Sequence, residues 1–80
     1  GRMLESVTLR EIEKIFAVTD ALGIHRERLV IPLGPGRPGR VRTLPNGKIE
    51  ISVDALVPID EWVKGLPELI RQATGGALGG

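Results

Sequence analysis

The order helix, strand, β-hairpin, helix predicts an α+β domain: a small three-stranded, mainly antiparallel sheet with two amphipathic helices on one face. Three observations carry that expectation. Apolar residues recur at three- and four-residue steps near both ends of the chain, apolar and polar residues alternate on either side of Pro45-Asn46-Gly47, and glycine or proline marks the boundaries between these stretches. The 80 residues make one domain, assigned to 3–74. A flexible glycine-rich tail is expected over 75–80, and Gly1-Arg2 reads as an expression remnant ahead of a start at Met3.

Thr8-Leu9-Arg10-Glu11 has the form of a capping box, in which the Thr8 hydroxyl accepts from the Glu11 amide and the Glu11 carboxylate reaches back to the Thr8 amide. Val7 and Ile12 occupy the staple positions around it. Ile12, Ile15, Phe16, Thr19 and Leu22 then follow at helical spacing, with Glu13, Lys14 and Asp20 off the stripe, so a helix is predicted over 9–22. Gly23 can take the left-handed conformation that ends it, with Ile24 as the apolar contact behind.

Arg28-Leu29-Val30-Ile31-Pro32-Leu33 is a β-branched run that predicts a strand. Pro32 has no amide to give to a ladder, so the strand belongs at an edge or ends early. The loop Gly34-Pro35-Gly36-Arg37-Pro38-Gly39-Arg40 follows, too rich in glycine and proline for a regular element yet limited in its freedom by the prolines.

Two turns compete for the hairpin. A two-residue Asn-Gly turn would set Leu44 opposite Ile49 and Arg42 opposite Ile51, placing a charge among apolar residues. A type I turn over Pro45-Asn46, closed by a left-handed Gly47 bulge, pairs Leu44 with Lys48, Thr43 with Ile49, Arg42 with Glu50 and Val41 with Ile51. The second register gives one face of Val41, Thr43, Ile49, Ile51 and Val53. It also aligns opposite charges, a gain of about 0.2–1 kcal/mol, whereas burying an arginine costs more. The other face carries Arg40, Arg42, Leu44, Lys48, Glu50 and Ser52.

Asp54 to Val57 read as a short connection, and Pro58 suits the start of a helix. Ile59, Trp62, Val63, Leu66, Leu69, Ile70 and Ala73 hold one stripe through Gly65 and Pro67. One helical path over 59–73 is predicted, kinked near Gly65-Leu66-Pro67, with two short helices as the alternative. Trp62, the largest side chain, is expected in the core.

Composition removes several classes of function. With no cysteine and one histidine, neither a disulfide framework nor a structural zinc site is expected, and no cofactor motif occurs. The apolar runs are too short to span a membrane and no leader pattern is present, so a soluble, cytoplasmic protein without membrane partners is expected. Ser6, Ser52 and the threonines lack a histidine at a motif spacing, and neither Gly-x-Ser-x-Gly nor a phosphate-cradling Gly-x-x-x-x-Gly-Lys is present. His25 fits the negative end of the first helix, and Asp60-Glu61 fits the positive end of the last, both structural roles. An enzyme is not expected.

The net charge of +1 conceals a division. Residues 25–48 carry six basic groups against one acidic, and residues 49–80 carry two against five, giving +5 and −3. Such asymmetry can steer an anionic partner, draw two copies together head to tail, or be bridged internally. Arg37, Arg40, Arg42, Lys48 and Arg28 are the candidate partner-binding residues. Gly36-Arg37-Pro38 resembles the Gly-Arg-Pro core of AT-hook segments, with Pro35 where those place a basic residue. Phe16 and Trp62 both lie on apolar helix stripes, leaving no aromatic for base stacking.

The expected function is a non-catalytic interaction module that docks on a protein partner or forms a homo-oligomer through the apolar edge Leu29–Leu33. The alternative is binding of nucleic-acid phosphates through the arginine loop and the outer sheet face.

Overall fold

The computed structural model describes residues 3–75, which places Gly1-Arg2 and residues 76–80, including most of the expected tail, outside the description. Helix α1 spans Leu9–Ala21, and strands β1 (Leu29–Val30), β2 (Arg40–Thr43) and β3 (Ile49–Ser52) form a sheet in the order β1-β3-β2. Two further α-helical segments, α2 (Ile59–Trp62) and α3 (Leu66–Thr74), complete an α+β domain. The sheet is mixed: β2 runs antiparallel to the central β3, and β1 runs parallel to it.

Both ends of α1 follow local chemistry. The Glu11 carboxylate accepts from the Thr8 amide at 2.7 Å, and the reciprocal bond to the Glu11 backbone completes the capping box. Val7 beside it is buried and Ile12 half-buried, as a staple requires. At the other end Gly23 adopts φ 76°, its amide bonding to the Asp20 carbonyl at 3.0 Å while the Ile24 amide reaches the Thr19 carbonyl at 2.9 Å. That is the Schellman pattern, sealed by the buried Ile24.

The hairpin adopts the bulged register. Arg42 pairs with Glu50, Val41 with Ile51 and Thr43 with Ile49; the Leu44 amide bonds to the Lys48 carbonyl at 2.8 Å, and Gly47 sits at φ 85°. Ile49 and Ile51 are fully buried, while Arg42 bonds to Glu50 at 2.7 Å on the opposite face. Thr43, assigned to the inner face, is exposed at the last position of β2, next to the turn.

Strand β1 is shorter than the predicted 28–33. Arg28 ends a 3-10 turn over Arg26–Arg28, and pairing with β3 covers only Leu29 and Val30, opposite Ile49 and Glu50. Pro32 stops the ladder, and beyond it the Leu33 carbonyl is taken by the Val7 amide at 2.8 Å. The N-terminal segment also bonds from the Leu4 amide to the Ala55 carbonyl at 2.8 Å, so it bridges the ends of β1 and β3.

The last helical path lies between the two predicted alternatives. A 3-10 turn at Val63–Gly65 joins α2 to α3, so the chain stays helical while its hydrogen bonding changes. Pro67 falls in the first turn of α3, where a missing amide leaves no bond unmade. Gly75, assigned to the tail, caps α3 at φ 67°. Ile59, Trp62, Leu66 and Ile70 meet Ile15, Ile49, Ile51 and Val53 in one core, with Trp62 only 8% exposed. Among the described residues no helix is long and apolar enough to cross a membrane.

Gly47→Ala should lower the unfolding free energy by about 1–2 kcal/mol, because an alanine must hold the left-handed conformation here. Urea denaturation measures it, and an unchanged midpoint would show that the turn can be built without the bulge.

Candidate interaction surfaces

The described lysines and arginines divide into two groups. Arg10 and Lys14 on α1 both reach Asp60 on α2, at 3.2 and 3.0 Å; Arg26 bonds to Asp20 at 2.7 Å, Arg42 to Glu50 at 2.7 Å, Lys64 to Glu61 at 2.9 Å, and Arg71 to Glu68. These contacts hold the carboxyls of Asp20, Glu50, Asp60 and Glu68 below their ordinary values, chiefly through the side-chain hydrogen bond from the cation. Arg28, Arg37, Arg40 and Lys48 have no acidic partner among the described residues. Four of the five predicted site residues are therefore the unpaired cations, and the fifth, Arg42, is engaged by Glu50.

The sheet arranges these four. Ser52 and Glu50 alternate with the buried Ile51 and so face away from the helices, and Arg40 lies directly opposite Ser52 on β2. Arg28 and Lys48 immediately precede Leu29 and Ile49, which pair with each other, so both lie toward that end of the sheet. Arg37 and Arg40 thus lie toward one end of the sheet and Arg28 and Lys48 toward the other, about 13 Å apart along β3 at ~3.3 Å per residue.

The loop that carries Arg37 is held by backbone bonds. The Gly36 amide donates to the Val53 carbonyl at 2.8 Å and the Ala55 amide to the Gly36 carbonyl at 2.9 Å, continuing the sheet as an isolated parallel bridge. Asp54 provides the second tie, and sequence reasoning missed it by treating 54–57 as a plain connection. It is 8% exposed, and its carboxylate accepts from the amides of Gly39 at 3.0 Å, Leu56 at 2.7 Å and Val57 at 3.0 Å. The Gly39 and Leu56 bonds lead in holding its carboxyl below the ordinary value. The available signal was an aspartate at a strand end, two and three residues before amides that lack ladder partners. Gly39 is required here for space: a Cβ would stand 2.5 Å from the Asp54 nitrogen and 2.7 Å from the Ser52 carbonyl oxygen. Between loop and strand lies a hollow of about 370 Å³ lined by Gly36, Arg37, Pro38, Arg40 and Ser52. The Arg37 guanidinium rests against the Met3 sulfur, a neutral contact that leaves its charge uncompensated.

A second surface lies at the N-terminal end. Met3, Leu56, Val57 and Pro58 line an open groove of about 440 Å³, with Arg10 and Glu11 at its edge. Leu56 is 64% exposed, and Met3 and Val57 are also exposed. Leu9 and Leu33 are exposed as well, and the Leu33 carbonyl accepts from the Val7 amide. The sequence signal was two large apolar residues in a turn, Leu56-Val57, with no periodic partner. His25 is exposed beside the Arg26–Asp20 ion pair, and among the described residues no three His, Cys, Asp or Glu side chains converge as metal ligands would.

Asp54→Ala should destabilise the domain by about 1–3 kcal/mol, since amides turned toward a buried carboxylate lose their acceptor. Because the folded carboxyl titrates below its ordinary value of 3.8, its contribution is complete above that value and fades as pH falls through the lowered one. Acid titrations of wild type and Asp54→Asn should therefore differ most across that interval, and parallel curves would remove the charge from the account. No family model, curated protein or solved structure matches this chain, so the functional reading rests on the chemistry of these two surfaces.

Proposed function

We propose that the chain is a non-catalytic protein-interaction module that docks on a protein partner, or on a second copy of itself, through the groove lined by Met3, Leu56 and Val57. The observation that carries this is the gathering of exposed large apolar side chains at one end of a domain whose other apolar residues are largely sequestered in a single core. Strand addition at β1 has weaker support, because that strand is two residues long and closed by Pro32. The opposite edge, β2, carries Arg40 and Arg42. Short strands, proline and edge charges all discourage pairing with another chain. A cytoplasmic setting belongs to the same proposal.

A second reading, nucleic-acid binding at phosphates, is favoured by one observation: among the described residues the cations without acidic partners include Arg40, on the sheet face turned away from the helices, and Arg37 in the loop that shares a hollow with it.

Leu56→Ser combined with Val57→Ser should abolish capture of protein from nuclease-treated host extract and any concentration-dependent sedimentation. The melting temperature should hardly move, as both side chains are exposed. Retained capture by this variant, with loss on nuclease treatment of wild type, would move the assignment to the second reading.

A further inference from the structure

We infer that the hollow between the loop and β3 is a seat for one phosphate of a nucleic-acid duplex, with the Arg37 and Arg40 guanidinia and the Ser52 hydroxyl as its donors. The inference rests on the nucleic-acid reading and gives that reading a defined point of attachment.

Charge, donor chemistry and rigidity converge at this position. Both arginines line the hollow without an acidic partner among the described residues, and no acidic side chain lines it. The nearest carboxylates in sequence are otherwise engaged: Glu50 by Arg42 at 2.7 Å and Asp54 by three backbone amides. Arg40 and Ser52 are directly opposed across β2 and β3, a relation that puts their Cβ atoms about 5 Å apart on the same face. One tetrahedral oxyanion can then accept from the hydroxyl and from a guanidinium fork, the geometry in which arginine exceeds lysine. Arg37 arrives from a segment fixed on both sides, by the Gly36 bridge before it and the Gly39–Asp54 bond after it. Fixing the donors beforehand removes part of the ordering cost of binding.

The far end of the face favours a long polyanion over a single phosphate. Arg28 and Lys48, about 13 Å away, repeat the unpaired-cation arrangement, so a ligand with regularly spaced charges meets both ends at once. Duplex is favoured over single strands because bases have nothing to stack on: Trp62 is buried and Phe16 is half-buried beneath the Arg26 guanidinium, 4.3 Å from its ring centre.

Titration of labelled duplex at several salt concentrations tests this. If four cations each neutralise one phosphate, log affinity should fall against log salt with a slope of about −3.6, and Arg37→Ala with Arg40→Ala should reduce it to about −1.8. Arg28→Ala with Lys48→Ala should do the same. Ser52→Ala is the discriminating variant: a neutral donor releases no counterion, so affinity should drop about fivefold with the slope unchanged. No duplex binding by wild type at low salt overturns the nucleic-acid reading and the seat together. Binding lost in the Arg28/Lys48 variant but unaffected by Arg37→Ala/Arg40→Ala or by Ser52→Ala leaves the reading intact and overturns the seat. Displacement of duplex by poly-glutamate at equal charge concentration overturns phosphate as the ligand.

Discussion

The buried carboxylate of Asp54 is the point on which both candidate surfaces depend. One oxygen takes the Gly39 amide and so fixes the end of the arginine loop, while the other takes the amides of Leu56 and Val57 and fixes the turn that presents the apolar groove. These segments lie just outside the strands and α2, where no ladder partner takes their amides. A carboxylate can accept several bonds at once, and three charge-assisted ones offset the cost of taking it out of water. The missing side chain at Gly39 is the steric half of the same arrangement, since any Cβ would push the loop off the strand end. Neither surface rests on propensity; both rest on one side chain and one absence.

Where local chemistry decides, the sequence was sufficient. The capping box at Thr8 and Glu11, the Schellman end at Gly23 and Ile24, and the bulged register with Arg42 opposite Glu50 each follow from residues within a few positions of one another. The register was readable because an error of one position would have exchanged isoleucines for charges on the inner face. Parallel pairing of β1 with β3 was harder to read, because it depends on how the chain returns through the loop and hairpin, and nothing in Leu29 or Val30 states which neighbour they will have. The role of Asp54 was hidden for a similar reason: its partner Gly39 is fifteen residues away. Among the candidate residues, charge composition groups Arg28, Arg37, Arg40 and Lys48 with Arg42, and only the folded structure separates the four from Arg42, which Glu50 engages across the hairpin.

The charge division in the sequence is resolved inside the molecule. Asp60 receives Arg10 and Lys14 from α1, tying α1 to α2, and Glu61 and Glu68 are taken up by neighbours on their own helical path. Each pair is exposed and adds little stability by itself. Their larger effect is on the electrostatic surface: among the described residues of the acidic last third, each carboxylate is engaged by a cation or by backbone amides. What remains is an excess of positive charge toward one sheet face, where Glu50 is paired with Arg42 and only partly offsets Arg40.

The two surfaces meet where the Arg37 guanidinium rests against the Met3 sulfur. Arg37 lines the phosphate hollow and Met3 lines the apolar groove, so each surface contributes one wall of the boundary between them. A thioether is a weak acceptor and a flexible, polarizable neighbour. It covers the arginine without neutralising it, and either side chain can leave the contact at small cost. An acidic residue in place of Met3 would have closed the hollow with an ion pair, as Glu50 does for Arg42. Methionine at this boundary leaves Arg37 without a counter-ion while the apolar groove stays continuous up to its edge.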